Sequence, residues 1–197
     1  MTNYLLSIDP SIKNTGFTLW EKKIYCDTYT YIWKPILISS CSFKKNGIDN
    51  FNRDMHYVVY GTLELKDELT NSKNNFDLII ERGTFHSKNG IGYETQEHLR
   101  GFIAGQFNKL LTKNMLISPR TWQNWYLNQE NIIDTLIYNE NEKIGIANHP
   151  NNKWNKDLSI KIVNYLTIIN NWNIKISNHD EADSLLIGWY YLNKENK

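Results

Sequence analysis

Short apolar runs separated by polar turns dominate the first half of the chain, and helical periodicity dominates the second. Tyr4-Leu5-Leu6-Ser7-Ile8 is nearly unbroken in apolar character and ends on Asp9, which predicts a buried first strand over residues 4–9. The following segment to Gly16 carries Pro10, Asn14 and Gly16 and predicts a turn. Phe17-Thr18-Leu19-Trp20 alternates and predicts an antiparallel return. Residues 24–43 are rich in Tyr and Ile, with Trp33 among them, and predict a third strand with an irregular hairpin, broken at Pro35. Asp77-Leu78-Ile79-Ile80-Glu81 has the doubly buried look of a parallel strand, and Leu116-Ile117-Ser118 predicts another.

Helical spacing appears at Phe51, Met55, Val58, Val59, Leu63 and Leu65, so residues 49–70 are expected to be a helix. A long helix is expected over residues 95–113, after a loop from Gly83 to Gly92, with Leu99, Phe102, Ile103, Phe107 and Leu110 on one face as a candidate dimer surface. Pro119 opens a helix reaching about residue 127, Pro being favoured in a first turn. Two more helices cover residues 157–169 and 180–192. Residues 128–152 are rich in Asn and Glu with little periodicity and read as an insertion or mobile loop. No linker or repeat divides the chain, so one domain over residues 1–197 is expected, a length that supports one well-buried core.

Composition narrows the classes. No apolar run reaches the roughly 18 residues of a bilayer-spanning helix, and the N-terminus enters a strand without a basic region or apolar leader, which predicts a cytoplasmic protein. Cys26 and Cys41 are far apart and in no metal-ligand spacing, as expected of reduced thiols. Net charge is +1, but cations gather locally at Lys22-Lys23, Lys44-Lys45, Arg82 with Lys88, Arg100, Arg120, and Lys153 with Lys156. A basic face balanced by an acidic centre would give this sum.

The acidic centre is the chemistry-bearing feature. Asp9 and Glu81 each end an apolar strand, at the carboxyl edge where open α/β sheets carry their reactive groups. Asp180 and Asp183 open the last helix three residues apart, on one face. Each acid alone fits a turn or cap role. Together at one point they would repel unless cations neutralised them, which points to a two-metal site for phosphodiester chemistry. His179 reads as a helix-start surface residue, and Glu181 points to a different helix face from Asp180 and Asp183.

These segments resemble one family. Leu6-Ser7-Ile8-Asp9-Pro10-Ser11-Ile12-Lys13-Asn14-Thr15-Gly16-Phe17 is similar to the opening of RuvC-type Holliday junction resolvases, an apolar strand followed by I-D-P-G, a short basic turn and T-G. Ile80-Glu81, Leu99-Arg100-Gly101, Ser118-Pro119-Arg120-Thr121-Trp122 and Asp180-Glu181-Ala182-Asp183-Ser184-Leu185 resemble later motifs in the same order. Residues 20–76 and 128–155 carry no match, and Ser11 stands where the family has Gly.

The resemblance implies an α/β, RNase H-like fold with a mixed five-stranded sheet, three antiparallel strands then two parallel ones, flanked by helices. It implies a homodimeric endonuclease that nicks four-way DNA junctions symmetrically with two Mg²⁺ ions per site, Mn²⁺ substituting. Asp9, Glu81, Asp180 and Asp183 would hold ions about 3.5–4 Å apart. Lys13, Arg82, Phe85, Lys88, Arg120, Gln123 and Lys156 are the expected DNA contacts. Phe85 is a candidate wedge for unstacking bases. Gln123 occupies the place of a family lysine, and Lys156 is the candidate to replace it. Sugar kinases and actin-like ATPases also open with an Asp after strand one, but need a longer, two-lobed chain. Hydrolases of RNA–DNA hybrids and non-catalytic nucleic-acid-binding modules share the RNase H-like fold, and substrate separates them from a resolvase. The Asn, Lys, Ile and Tyr bias suits an AT-rich genome such as that of a phage or other virus.

Overall fold

The computed structural model describes residues 3–25, 30–42, 50, 53–55, 57–60, 62, 76–83, 90–129, 132 and 154–194. Five strands form one sheet: β1 (Tyr4–Asp9), β2 (Thr15–Tyr25), β3 (Thr30–Cys41), β4 (Phe76–Glu81) and β5 (Leu116–Ile117), in the order β3-β2-β1-β4-β5. β1 pairs antiparallel with β2 and β2 with β3, whereas β4 runs parallel to both β1 and β5. Among the described residues the longer helices are α1 (Gly90–Gln106), α2 (Pro119–Leu127), α3 (Lys156–Ile169) and α4 (His179–Asn193), with a 3₁₀ turn at Lys113–Met115. The predicted mixed sheet is present.

Alternation along the central strands builds two cores, one per face. Leu6, Ile8, Phe17, Leu19, Leu78 and Ile80 pack with Leu99, Ile103 and Phe107 of α1 and with Met55 and Val59, which are helical. Leu5, Trp20 and Ile79 pack on the other face with Trp122, Tyr126, Ile162, Leu166, Leu185 and Leu186 from α2, α3 and α4. The central strands are therefore covered on both sides, which is why β1 and β4 read as continuous apolar runs.

Three expectations need correction. β3 is not broken at Pro35, because it is an edge strand and the register shifts by one residue beside Trp20, where Pro35 pairs. An edge position with a bulge is where a strand tolerates a missing N–H. The helix expected to reach residue 113 stops at Gln106, since Asn108 adopts a left-handed φ of 53° that cannot continue it. The face proposed for dimer contact is internal: Leu99, Ile103 and Phe107 are buried against the chain's own sheet, Phe102 packs partly against the same core, and Leu110 lies past the helix end. Most of the insertion expected at 128–152, and the loop residues 84–89 with Phe85 and Lys88, lie outside the described residues. Among the described residues no helix is long and apolar enough to cross a membrane. Cys41 is a buried free thiol whose pKa burial pushes up to about 12.

Candidate active site

Topology brings the four acids to one sheet edge. Ile8 is in register with Ile80, so Asp9 and Glu81 follow side by side at the carboxyl ends of two parallel central strands. Asp9 is also paired with Gly16 on β2. The absence of a side chain at Gly16 lets the first turn of α4 approach: a Cβ there would run into the Asp180 carbonyl. Gly188 does the same two turns later, where a Cβ would strike Trp20 and Ser7. Between these two contacts a buried polar knot fixes α4 on the sheet. Ser7 Oγ donates to the Ser184 carbonyl at 2.7 Å, Trp20 Nε1 donates to Ser7 Oγ at 3.0 Å, and Thr18 and Ser184 share a hydroxyl contact at 2.8 Å.

The helix start is capped by Asn178, whose side chain accepts from Glu181 N at 3.0 Å, so neither acid of the pair is spent as the cap. Glu181 is buried and committed to structure: its two oxygens accept from Ser40 Oγ at 2.9 Å and from Ser177 N at 2.6 Å. That leaves Asp180 and Asp183 facing the strand ends. We expect Gly16→Ala to destabilise the chain by about 1–3 kcal/mol and to displace the α4 start. Thermal denaturation checks the first effect, and a loss of any metal-induced stabilisation checks the second.

Three of the four carboxylates, Glu81, Asp180 and Asp183, are held by neighbours. Trp122, fully buried on α2, donates Nε1 to Glu81 Oε2 at 2.8 Å. Arg100 on α1, 2% exposed, donates Nε to the Glu81 backbone carbonyl at 2.6 Å and contacts Glu97 at 3.2 Å. Asn14 in the β1–β2 turn donates to Asp180 Oδ2 at 2.8 Å, and His179 Nε2 lies 3.2 Å from Asp180 Oδ1. Lys156, the first residue of α3, reaches the same His179 nitrogen at 2.7 Å. The Ser159 hydroxyl bonds Asp183, while Asp183 Oδ1 is buried with no hydrogen-bond partner among the described residues.

The electrostatics follow from this crowding. Burial first, then Glu81, Asp183 and Asp180, raise the pKa of Asp9 well above the usual carboxylate range, with Arg100 opposing. Burial raises Glu81 to about 7, against the Trp122 hydrogen bond and with a further push from Asp183. Burial likewise raises Asp183 to about 6, which Ser159 and Lys156 oppose and Asp180 reinforces. Among the described residues no three His, Cys, Asp or Glu side chains form a ready metal-binding group, so the acids share a field without closing on one point. Their chemistry nevertheless suits a hard divalent cation: the donors are carboxylate oxygens, and one buried Asp183 oxygen has no proton donor.

Of the expected DNA contacts, Lys13 is exposed in the β1–β2 turn beside Asn14, Arg82 is exposed immediately after Glu81, and Lys156 contacts His179 and acts electrostatically on Asp183. Arg120 is exposed in the first turn of α2, and Gln123 is half-buried on the same helix, next to Trp122. His179, expected at the surface, is instead part of the chain from Lys156 to Asp180. Trp122, Arg100, Asn14 and Ser159 were not expected as supports of the acids. Two signals in the sequence point to such support: a Trp beside the helix-opening Pro119, and an arginine set between core positions Leu99 and Ile103.

No protein-family model matches the chain, and no curated protein does. Among solved structures, RuvC of Thermus thermophilus aligns over 97% of this chain and 96% of its own, with 12% identity and a TM-score of 0.50. The fowlpox virus Holliday junction resolvase aligns over 97% and 99%, with 18% identity and a TM-score of 0.42. With its β3-β2-β1-β4-β5 sheet, mixed pairing and helices on both faces, the chain has the RNase H-like fold of the RuvC-type resolvases.

Proposed function

We propose that the chain is a divalent-metal-dependent endonuclease that resolves four-way DNA junctions by paired nicks, acting as a homodimer. The observation that supports this most strongly is the gathering of Asp9, Glu81, Asp180 and Asp183 at one sheet edge, with a buried Asp183 oxygen lacking a partner among the described residues. Their mutual repulsion is a cost the fold keeps, and a cation bound among them would relieve it. The four acids would hold Mg²⁺, or Mn²⁺ in its place, which when bound supplies a nucleophilic water at neutral pH and neutralises charge on the leaving oxygen.

The chain's own residues do the positioning. Trp122 fixes the rotamer of Glu81, and Asn14 and His179 hold the two oxygens of Asp180. Ser159 ties one side of Asp183 and leaves the other oxygen for a ligand role. Lys156, Lys13 and Arg82 bring positive charge to the rim of an otherwise acidic site, where a phosphate backbone needs it. The two-fold symmetry of a four-way junction calls for two such sites related by one axis.

Substrate choice tests the reading. Given Mg²⁺, synthetic four-way junctions should be cut at symmetric positions, and the protein should sediment as a dimer on them. Preferential cutting of RNA–DNA hybrid duplex would assign the same site to a different nuclease class and overturn the junction reading.

A further inference from the structure

Beyond the acid edge, on the side of the sheet closed by β5, the structure has a cleft of about 670 Å³. Arg82 stands at its near end, one residue after Glu81, and its backbone N–H is tied to the Ile117 carbonyl of β5 at 2.7 Å. Lys113 from the 3₁₀ turn and Lys194 at the end of α4 supply two more cations, all three exposed. Tyr93 of α1 and Tyr190 and Tyr191 of α4 line the same space, with Lys194 Nζ resting over the Tyr191 ring at 4.4 Å. The one carboxylate among the described lining residues, Glu97, is already engaged with Arg100 at 3.2 Å.

Three cations and the rings of Tyr93 and Tyr190, beside a Tyr191 ring already paired with Lys194, make one concavity a site for an anion that carries its own flat faces. Lysine and arginine neutralise phosphates, and tyrosine rings accept stacked bases without regard to sequence. The volume lies within the range of about 300–1,000 Å³ typical of small-ligand sites, room for roughly one or two nucleotides and not for a duplex. We propose that this cleft binds an unpaired stretch of DNA, continuous with the strand at the acid edge and entering past Arg82. The path of the strand rests on the endonuclease reading, whereas the binding of unpaired DNA does not.

The test is a charge reversal at the far end of the cleft, Lys113→Glu with Lys194→Glu, both at exposed positions. Binding is measured without metal for a fully paired four-way junction and for a fork with unpaired arms. We expect the fork to lose affinity on the order of 10-fold or more, with a shallower salt dependence, as removal of phosphate contacts requires. The paired junction should stay within about two-fold, since few of its phosphates would reach this cleft. The uncharged pair Lys113→Gln with Lys194→Gln should give an intermediate loss on the fork. Equal losses on the two substrates, or none on either, would overturn the proposal. Cleavage by the unaltered chain in Mg²⁺ is read alongside. Fork binding lost in the variant with no substrate ever cut leaves the cleft standing and removes the endonuclease reading. Junctions cut normally, with fork binding unchanged in the variant, remove the cleft alone.

Discussion

Asp9→Asn is expected to reduce junction cleavage by on the order of 10²–10³-fold or more, the scale seen when one electrostatic contact to a transition state is removed, while junction binding persists. Asp9 ends β1 at the centre of the acid group and feels all three other carboxylates. Asparagine keeps the shape and removes one charge, so a shared ligand is lost without a packing defect. The same substitution should raise the melting temperature of the metal-free protein at pH 8, because it relieves repulsion among buried carboxylates. A merely structural Asp9 would give the opposite result, lower stability with cleavage intact. Single-turnover cleavage and thermal denaturation on the same samples separate the two.

Stability without metal should fall as pH rises from about 4 to above 7. Asp9, Glu81 and Asp183 all have folded-state pKa values above their ordinary ones, so across that window the folded chain holds more protons than the unfolded chain. The stabilisation is fully present below the unfolded pKa values near 4. It is lost as Asp183 ionises at about 6 and Glu81 at about 7 in the folded state. The expected loss is several degrees, at about 2–4 °C per kcal/mol for a chain of this size. Millimolar Mg²⁺ should restore much of it at pH 8 and little at pH 5, where protons already neutralise the site. A melting temperature that rises with pH, or Mg²⁺ stabilisation equal at both pH values, would contradict this electrostatic picture.

The central fold was legible because β1 and β4 are buried on both faces, so their apolar runs are uninterrupted and their terminal acids conspicuous. The spacing of Asp180 and Asp183 likewise marked one helical face without any tertiary information. Local rules failed where a tertiary feature outweighed them. Pro35 is an expected strand breaker, yet at an edge with a bulge its missing N–H costs little. The apolar period of α1 runs on toward Leu110, but the left-handed Asn108 ends the helix first. Trp122, Asn14 and Ser159 support acids 41, 166 and 24 residues away, and such pairings depend on topology rather than on local pattern. The sequence set Glu181 on a different helix face from Asp180 and Asp183 but gave it no partner. Only the positions of Ser40 and Ser177 show that its charge is spent on holding α4 in place.

The claim that the four carboxylates form a metal-dependent cleavage centre is tested most directly on one immobile four-way junction, incubated with the protein in Mg²⁺ or in EDTA, with every nick mapped and its ends identified. Two symmetric nicks are expected in Mg²⁺, each with a 5′-phosphate and a 3′-hydroxyl, and none in EDTA. Cleavage that persists in EDTA, or an intact junction in Mg²⁺ with protein bound to it, would contradict it.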